Sequence, residues 1–335
     1  MIRSRLAFAV PVCAAVLAVL AVLAALSAKP AVAQLVYGGG DTYYVPGAAT
    51  LASDVSGFEV LVGKDATGAT LSGTATLTVA GGAITTYSGT RSTGYFGLNT
   101  FGGYRANITG GSVYSAAAYD SAATTISGGT VTAAVGFNAT VTTVSGGTVG
   151  QIQGYNASTT AINGGAISQI AANNASITTI TAGVVGSLTV ADNSTATITG
   201  GTLTNAYGQN ASTTVVRGGA LPNGLILFDS AQADFVGSGL SYAYIGFGTG
   251  NPYHDYADAF TVSGTFGGAT ALYSLYLYNQ NGIANTAPRQ FALNGVVVAV
   301  PEAGTLALIL PALGVAGAGI AAHRSRRQPC AICPR

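Results

Sequence analysis

Charge, cysteine and tryptophan are scarce in this sequence. Only 7% of the 335 residues are charged, and tryptophan is absent. Cys13, Cys330 and Cys333 all lie outside residues 34–302, so that segment can hold neither a disulfide nor a cysteine-ligated metal. The same segment has five Lys or Arg against eleven Asp or Glu, a net charge of −6. Without a basic patch to neutralise phosphates, nucleic acid is excluded as a partner.

The sequence has instead a repeat of eighteen residues, marked by pairs of glycines. The pairs are Gly110-Gly111, Gly128-Gly129, Gly146-Gly147, Gly164-Gly165, Gly200-Gly201 and Gly218-Gly219, with Ala182-Gly183 in the one slot where the pair is incomplete. Two apolar columns accompany the pairs. The column before them is Ile108, Ile126, Val144, Ile162, Ile180, Ile198 and Val216, and the column after them is Val113, Val131, Val149, Ile167, Val185, Leu203 and Leu221. A period of this length indicates a stack of coils.

A third column of the repeat consists of Asn and Asp. Its members are Asp120, Asn138, Asn156, Asn174, Asp192 and Asn210. Asn and Asp tolerate the backbone angles of tight turns, whereas Val, Ile and Thr favour strands, so each copy is predicted to be short strands joined by corners. One copy cannot bury its own apolar residues. The prediction is therefore an all-β protein, a parallel β-solenoid with eighteen-residue coils and an Asn/Asp ladder of structural turns along one corner.

The repeat also predicts how the chain is divided. Seven coils, on the order of 30 Å in height, occupy residues 107–224, and the usual hand of parallel crossovers favours a right-handed array. Residues 34–106 are predicted as an N-terminal β region with one irregular coil, LTVAGGAITTYSG, followed by an insertion of eleven residues within 87–104. Residues 225–299 are rich in aromatics and are predicted to form antiparallel strands that cap the solenoid.

The first 33 residues have the order of a secretory signal peptide. Arg3 and Arg5 precede an apolar run at 6–28, and Ala31 and Ala33 form an A-x-A cleavage site. Export through the secretion machinery and cleavage by signal peptidase are therefore expected. Since the apolar run is long enough to span a bilayer, an uncleaved anchor is the alternative.

The C-terminal segment 300–328 resembles a known sorting signal. Val300-Pro301-Glu302, an apolar stretch at 305–322 and the cluster Arg324, Arg326 and Arg327 are similar to the tail of PEP-CTERM proteins, with Ala303 where a second proline is usual. The resemblance implies export across the inner membrane of a Gram-negative bacterium, membrane capture by a C-terminal transmembrane helix and processing near Pro-Glu by an exosortase-like membrane peptidase. It also implies a role beside extracellular polysaccharide. Residues 329–335, with Cys330 and Cys333, are interpreted as a plain tail.

An enzyme is the main competing hypothesis, because β-helices can host polysaccharide-degrading sites. Glycoside hydrolysis needs two carboxylates about 5–9.5 Å apart. Asp120 and Asp192 are four coils apart in the repeat, or about 19 Å, and His254 with Asp255 and Asp258 is more simply a solvated loop. We therefore predict no catalysis, no cofactor and no metal.

A glycan-binding module is the second alternative. Hydroxyl side chains recur in the coils on a flat, outward β-face and could contact glycan, or ice. They are Thr140, Thr142, Ser158, Thr160, Ser176, Thr178, Ser212 and Thr214. The prediction that best fits both chain ends is a secreted or cell-surface structural protein of a polysaccharide matrix or biofilm.

Overall fold

The computed structural model describes residues 36–37, 42–56, 59–85, 97–247, 257–278 and 290–299. Every regular element among them is a β-strand. In this part of the chain no helix has the length and hydrophobicity that a membrane span requires. Several sequence predictions lie outside the described residues, namely the signal peptide with Ala31 and Ala33, the transmembrane helix, Pro301, Glu302, Arg324, Arg326, Arg327, His254 and Asp255.

The described chain is a parallel β-solenoid of about ten turns, which confirms the predicted fold class. Its regular part consists of β9 (Arg105–Ile108), β10 (Ser112–Tyr119), β11 (Ala123–Ile126), β12 (Thr130–Gly136), β13 (Val141–Val144), β14 (Thr148–Gly154), β15 (Thr159–Ala172), β16 (Ile177–Val190), β17 (Thr195–Ile198), β18 (Thr202–Gly208) and β19 (Thr213–Val216). From β9 to β17 each strand pairs in parallel with the strand eighteen residues further on, as Ala123 does with Val141, whereas β18 and β19 pair with strands nineteen residues further on.

One coil contains a short strand, a glycine corner and a longer, bent strand. The pairing of β12 with β14 skips Thr132, and both Thr132 and the following Ala133 face outward, so the strand changes direction there. A final turn, near Asn138, returns the chain to the start of the next coil. Three corners per coil follow from this order.

The two apolar columns form the core, as the repeat predicts. Every residue of both is at most 5% exposed, and most are fully buried. Stacking buries the Ile, Val and Leu side chains, and each Å² of apolar surface removed from water stabilises the fold by about 25 cal/mol. Contacts between neighbouring coils therefore hold the array together.

Ala182, which stands where the other coils have the first glycine of the pair, coincides with a local irregularity in the strand pairing. Asn163 pairs with Ala182, nineteen residues away, so the register shifts on either side of this pair. At the equivalent Gly200, a Cβ atom would come within 2.1 Å of the Thr181 carbonyl oxygen. Ala182 therefore fits its corner only with an altered register.

The solenoid extends further towards the N-terminus than one irregular coil. The strands here are β1 (Val36–Tyr37), β2 (Thr42–Val45), β3 (Ala49–Leu51), β4 (Val55–Ser56), β5 (Glu59–Val62), β6 (Thr76–Val79), β7 (Ala83–Thr85) and β8 (Leu98–Phe101). All their pairings are parallel except β1 with β2.

Strand register also locates the predicted insertion. Ile84 of β7 pairs with Val113, 29 residues away, whereas Leu98 of β8 pairs with Ala116, eighteen away. The eleven extra residues therefore lie between β7 and β8, within the predicted region 87–104.

The C-terminal region differs from the prediction that all its strands are antiparallel. It contains β20 (Leu225–Phe228), β21 (Gln232–Phe235), β22 (Ser238–Phe247), β23 (Ala257–Phe266), β24 (Ala269–Tyr278), β25 (Gln290–Leu293) and β26 (Val296–Ala299). β20 and β21 stack in parallel on β18 and β19, because Asp229 supplies one more turn residue of the same kind. The pairings β22–β23, β23–β24 and β25–β26 are antiparallel.

Candidate functional site

The Asn/Asp column occupies one corner of the solenoid in a left-handed backbone conformation. The φ angles of Asp120, Asn138, Asn156, Asn174, Asp192 and Asn210 lie between 55° and 63°, and Asp229 continues the column at 55°. Asn and Asp are the residues, after glycine, that adopt this conformation most readily. The backbone geometry of the corner therefore explains why the column excludes other residue types.

Side-chain amides join the corner from coil to coil. Asn174 donates to Asn156 at 3.2 Å, and Asn156 donates to Asn138 at 3.0 Å. Asn138 donates in turn to Oδ1 of Asp120 at 3.4 Å. A carboxylate can only accept, so Asp120 ends this chain of donors. Asp192 is a second acceptor in the column, since its two oxygens accept from the Asn210 side chain at 2.8 Å and from the Asn174 backbone N–H at 3.2 Å.

Replacing Asn156 with aspartate is expected to destabilise the folded protein by about 1 kcal/mol at neutral pH, because the bond to Asn138 loses its donor and two acceptor oxygens meet. Below about pH 4 the new carboxyl becomes protonated and can donate again, so the loss should shrink. Urea unfolding at both pH values measures it.

Asn107→Asp is the matched control, because it adds the same charge on the outer face of β9, away from the corner. An equal loss for both variants would mean that the added charge, and not the missing amide donor, is responsible.

A stack of aromatic rings lies beside the Asn/Asp corner, and sequence reasoning missed it. Phe101, Tyr119, Phe137 and Tyr155 stack at centroid distances of 4.9, 5.2 and 5.3 Å, with their planes within 9° of parallel. The eighteen-residue spacing and the place directly before the turn residue could have revealed it. Lys64 sits over the Phe101 ring at 4.6 Å. Because neighbouring rings cover one another, the stack contributes to coil cohesion and offers a ligand mainly ring edges.

The hydroxyl residues predicted to face outward are buried, which corrects the proposed glycan-contact face. Thr140, Thr142, Ser158, Thr160, Ser176, Thr178, Ser212 and Thr214 are each at most 3% exposed. Side chains alternate along a strand, so Thr142 shares the inner face with Val144. The Asn-Ala-Ser or Asn-Ala-Thr triplets also match a glycosylation acceptor pattern, but here their hydroxyls are inside the solenoid.

The outer columns of the same strands are formed by other residues. Thr125, Thr143, Thr179 and Thr197 alternate with the buried positions and are partly exposed. Asp192 is the one charged residue between Asp120 and Arg217. Any ligand of the central coils would therefore meet a flat, almost uncharged surface of hydroxyl, methyl and amide groups.

The acidic residues Asp120, Asp192 and Asp258 lie in different parts of the structure. Asp120 and Asp192 belong to coils four steps apart in the register, about 19 Å by coil rise. Asp258 lies on β23 and not in a solvated loop as predicted: it is 7% exposed and accepts a hydrogen bond from the Tyr244 hydroxyl at 3.1 Å. Within the described ranges, no group of three His, Cys, Asp or Glu could hold a metal ion.

Two ionisable groups have perturbed pKa values with structural causes. The Thr67 hydroxyl donates to Asp65 at 2.6 Å, and this bond, with backbone N–H donors of the same turn, lowers the pKa of Asp65. The turn therefore favours folding above the ordinary aspartate pKa and loses this support as pH falls through the lowered value. Burial raises the pKa of Tyr273, whose hydroxyl donates to the Gly219 carbonyl at 2.9 Å.

In the described residues, side chains of successive coils therefore contact one another: amides at the corner hydrogen-bond to amides, aromatic rings stack on rings, and the Ser and Thr hydroxyls of the repeat lie inside. Comparison with family models, with curated proteins and with solved structures finds no match to this chain.

Proposed function

We propose that this chain is an exported structural protein, located at the cell surface or in an extracellular polysaccharide matrix. The main support is that the side chains at the corner of successive coils hydrogen-bond to or stack on one another. Side chains that are occupied in this way suit a rigid spacer better than a ligand-binding site. A nearly uncharged surface around the central coils fits surroundings of neutral polysaccharide.

The chain ends supply the sorting part of the proposal. Residues 1–33 direct export and are removed after Ala33, and residues 300–328 are captured in the inner membrane through the apolar stretch 305–322. The cluster Arg324, Arg326 and Arg327 keeps its end on the cytoplasmic side. An exosortase-like peptidase then acts near Pro301-Glu302. The resemblance of this tail to PEP-CTERM proteins supports this step.

The antiparallel strands at the C-terminal end serve as the cap in this proposal. A solenoid that simply stopped would present a complete coil edge to other chains. β23 and β26 run opposite to the solenoid strands, which interrupts the continuous parallel register that another solenoid would need, while β22 covers β23 as the outermost strand.

The intact mass of the protein, measured separately in the cytoplasm, the membrane fraction and the medium, tests the proposal. A released species that begins at Gln34 and ends near Pro301 is expected. A membrane species that retains Arg335, with no released species in the medium, would contradict processing, and a species that retains Met1 in the cytoplasm would contradict export altogether. Turnover of a polysaccharide by the purified protein would contradict the structural role.

A further inference from the structure

The C-terminal end of the solenoid is formed by two terminal strands. In one sheet the strands follow the order β18, β20, β24, β23 and β22. In another the order is β19, β21, β25 and β26. β22 and β26 are therefore the last described strands of their sheets, and both lie at the same end of the array.

Exposed apolar side chains concentrate on this end. Ten large hydrophobic side chains are exposed in the described chain, and six of them lie on β22, β24 and β26, where they are between 46% and 69% exposed. The six are Tyr242, Tyr244, Ile245, Leu272, Val296 and Val297. Neither β22 nor β26 contains a charged residue. A concentration of this kind marks an interaction surface.

The two exposed tyrosines rest on a layer of buried rings. The Tyr242 ring lies 5.5 Å from Phe291, and the Tyr244 ring lies 5.2 Å from Phe260. Phe260 and Phe291 are at most 3% exposed and contact each other at 5.4 Å. The tyrosines are thus held from behind, and such rings, apolar in body and polar at the hydroxyl, are the residues enriched at the boundary between lipid and water.

The path of the chain indicates what this surface meets. β26 ends at Ala299, and only residues 300–304 separate it from the apolar stretch 305–322. Five residues span at most about 18 Å when fully extended. If the apolar stretch is inserted in the membrane, the end of the solenoid that carries the exposed tyrosines is held next to the lipid headgroups.

We propose that, before the tail is processed, the C-terminal end of the solenoid docks on the phospholipid surface through Tyr242, Tyr244, Val296 and Val297. This inference rests on the proposed membrane insertion of residues 305–322. The tethered array then stands with its N-terminal coils furthest from the membrane, and cleavage near Pro301 removes the tether and leaves a contact too small to retain it.

Tryptophan fluorescence tests the docking, since the chain contains no tryptophan of its own. Tyr242→Trp and Val297→Trp each place one reporter at the proposed surface. Tyr114→Trp and Val184→Trp are matched controls on other coils, because Tyr114 is as exposed as Tyr242, at 49%, and Val184 at 57% is close to Val297 at 58%. Each variant begins at Gln34, so that the apolar run 6–28 cannot act as a second anchor, and ends at Arg335. It is incorporated into phosphatidylethanolamine–phosphatidylglycerol vesicles whose acyl chains carry bromine as a quencher.

The expected result is that both terminal reporters lose about half or more of their emission in brominated vesicles, as for rings placed at the boundary of headgroups and acyl chains, while both controls are unchanged. Two reporters are used so that a folding defect in one variant does not decide the outcome.

Three results would overturn the docking. Protein that floats with the vesicles but shows no quenching at either terminal site would leave the membrane tail in place and exclude the docking. Protein that does not float would refute the tail as an anchor, and the docking with it. A concentration-dependent blue shift of the terminal reporters without lipid would show that a second copy covers the surface.

Discussion

Replacing Gly147 with alanine is expected to destabilise the solenoid by about 3 kcal/mol or more, because the new Cβ meets both a backbone penalty and a clash. Gly147 has a φ of 77°, and a Cβ there would come within 2.7 Å of the Gly129 carbonyl oxygen. This oxygen cannot easily move, since it accepts the backbone N–H of Thr148 at 2.9 Å. Thermal and urea unfolding followed by circular dichroism measure the loss.

Gly68→Ala separates the two causes of this loss. Gly68 has a similar φ of 84°, but no atom lies within 4 Å of a Cβ built on it. The control should therefore cost only the conformational penalty of about 1–2 kcal/mol. Equal losses at both glycines would show that close approach of the coils is not what requires glycine at the corner.

Replacing Ile162 with alanine is expected to cost about 2–5 kcal/mol, the range for a buried isoleucine that leaves a cavity. Ile162 is fully buried and pairs with Val144 on one side and Ile180 on the other. Because a repeat array is stabilised through contacts between neighbouring coils, the change weakens two interfaces in the middle of the array. Besides the lower midpoint, the unfolding transition should broaden as the two halves become less coupled.

The control is Ile177→Ala, a change of the same residue type on the outer face of β16, where the side chain is 50% exposed. Its cost should stay within about 0.5 kcal/mol, as for most surface substitutions. A large loss at Ile177, with a small one at Ile162, would contradict the assignment of inner and outer faces.

The regular coils could be predicted because one period repeats their requirements many times. Ile126 and Val131 are buried in the structure for the reason that the sequence suggests, as are their equivalents in the other coils. The outermost coils were missed because their spacing is irregular: Val60 of β5 pairs with Leu98, which is 38 residues away. A search at a fixed period cannot detect such a neighbour, although the strands themselves pair normally.

The prediction for the internal hydroxyls is wrong because it follows the polarity of Ser and Thr, which favours an outer face. The alternation of side chains along the strand places them inside. Once Val144 is inside, Thr142 must be inside too, since two residues separate equivalent positions on a strand. The aromatic stack was missed for another reason: Phe and Tyr alternate along it, so no single residue type repeats. Contacts between coils depend on the strand register, which the identity of a single residue does not specify.

The constant register of the central coils has a consequence for length. From β9 to β19 the spacing between paired strands is eighteen residues, apart from the shift at Ala182. Deleting eighteen consecutive residues there would join a coil to its next-but-one neighbour with both apolar columns and the Asn/Asp corner still aligned, and duplicating them would add about 4.8 Å. The length of the solenoid can therefore change in steps of one coil, by gain or loss of eighteen residues, while both ends keep their own structure.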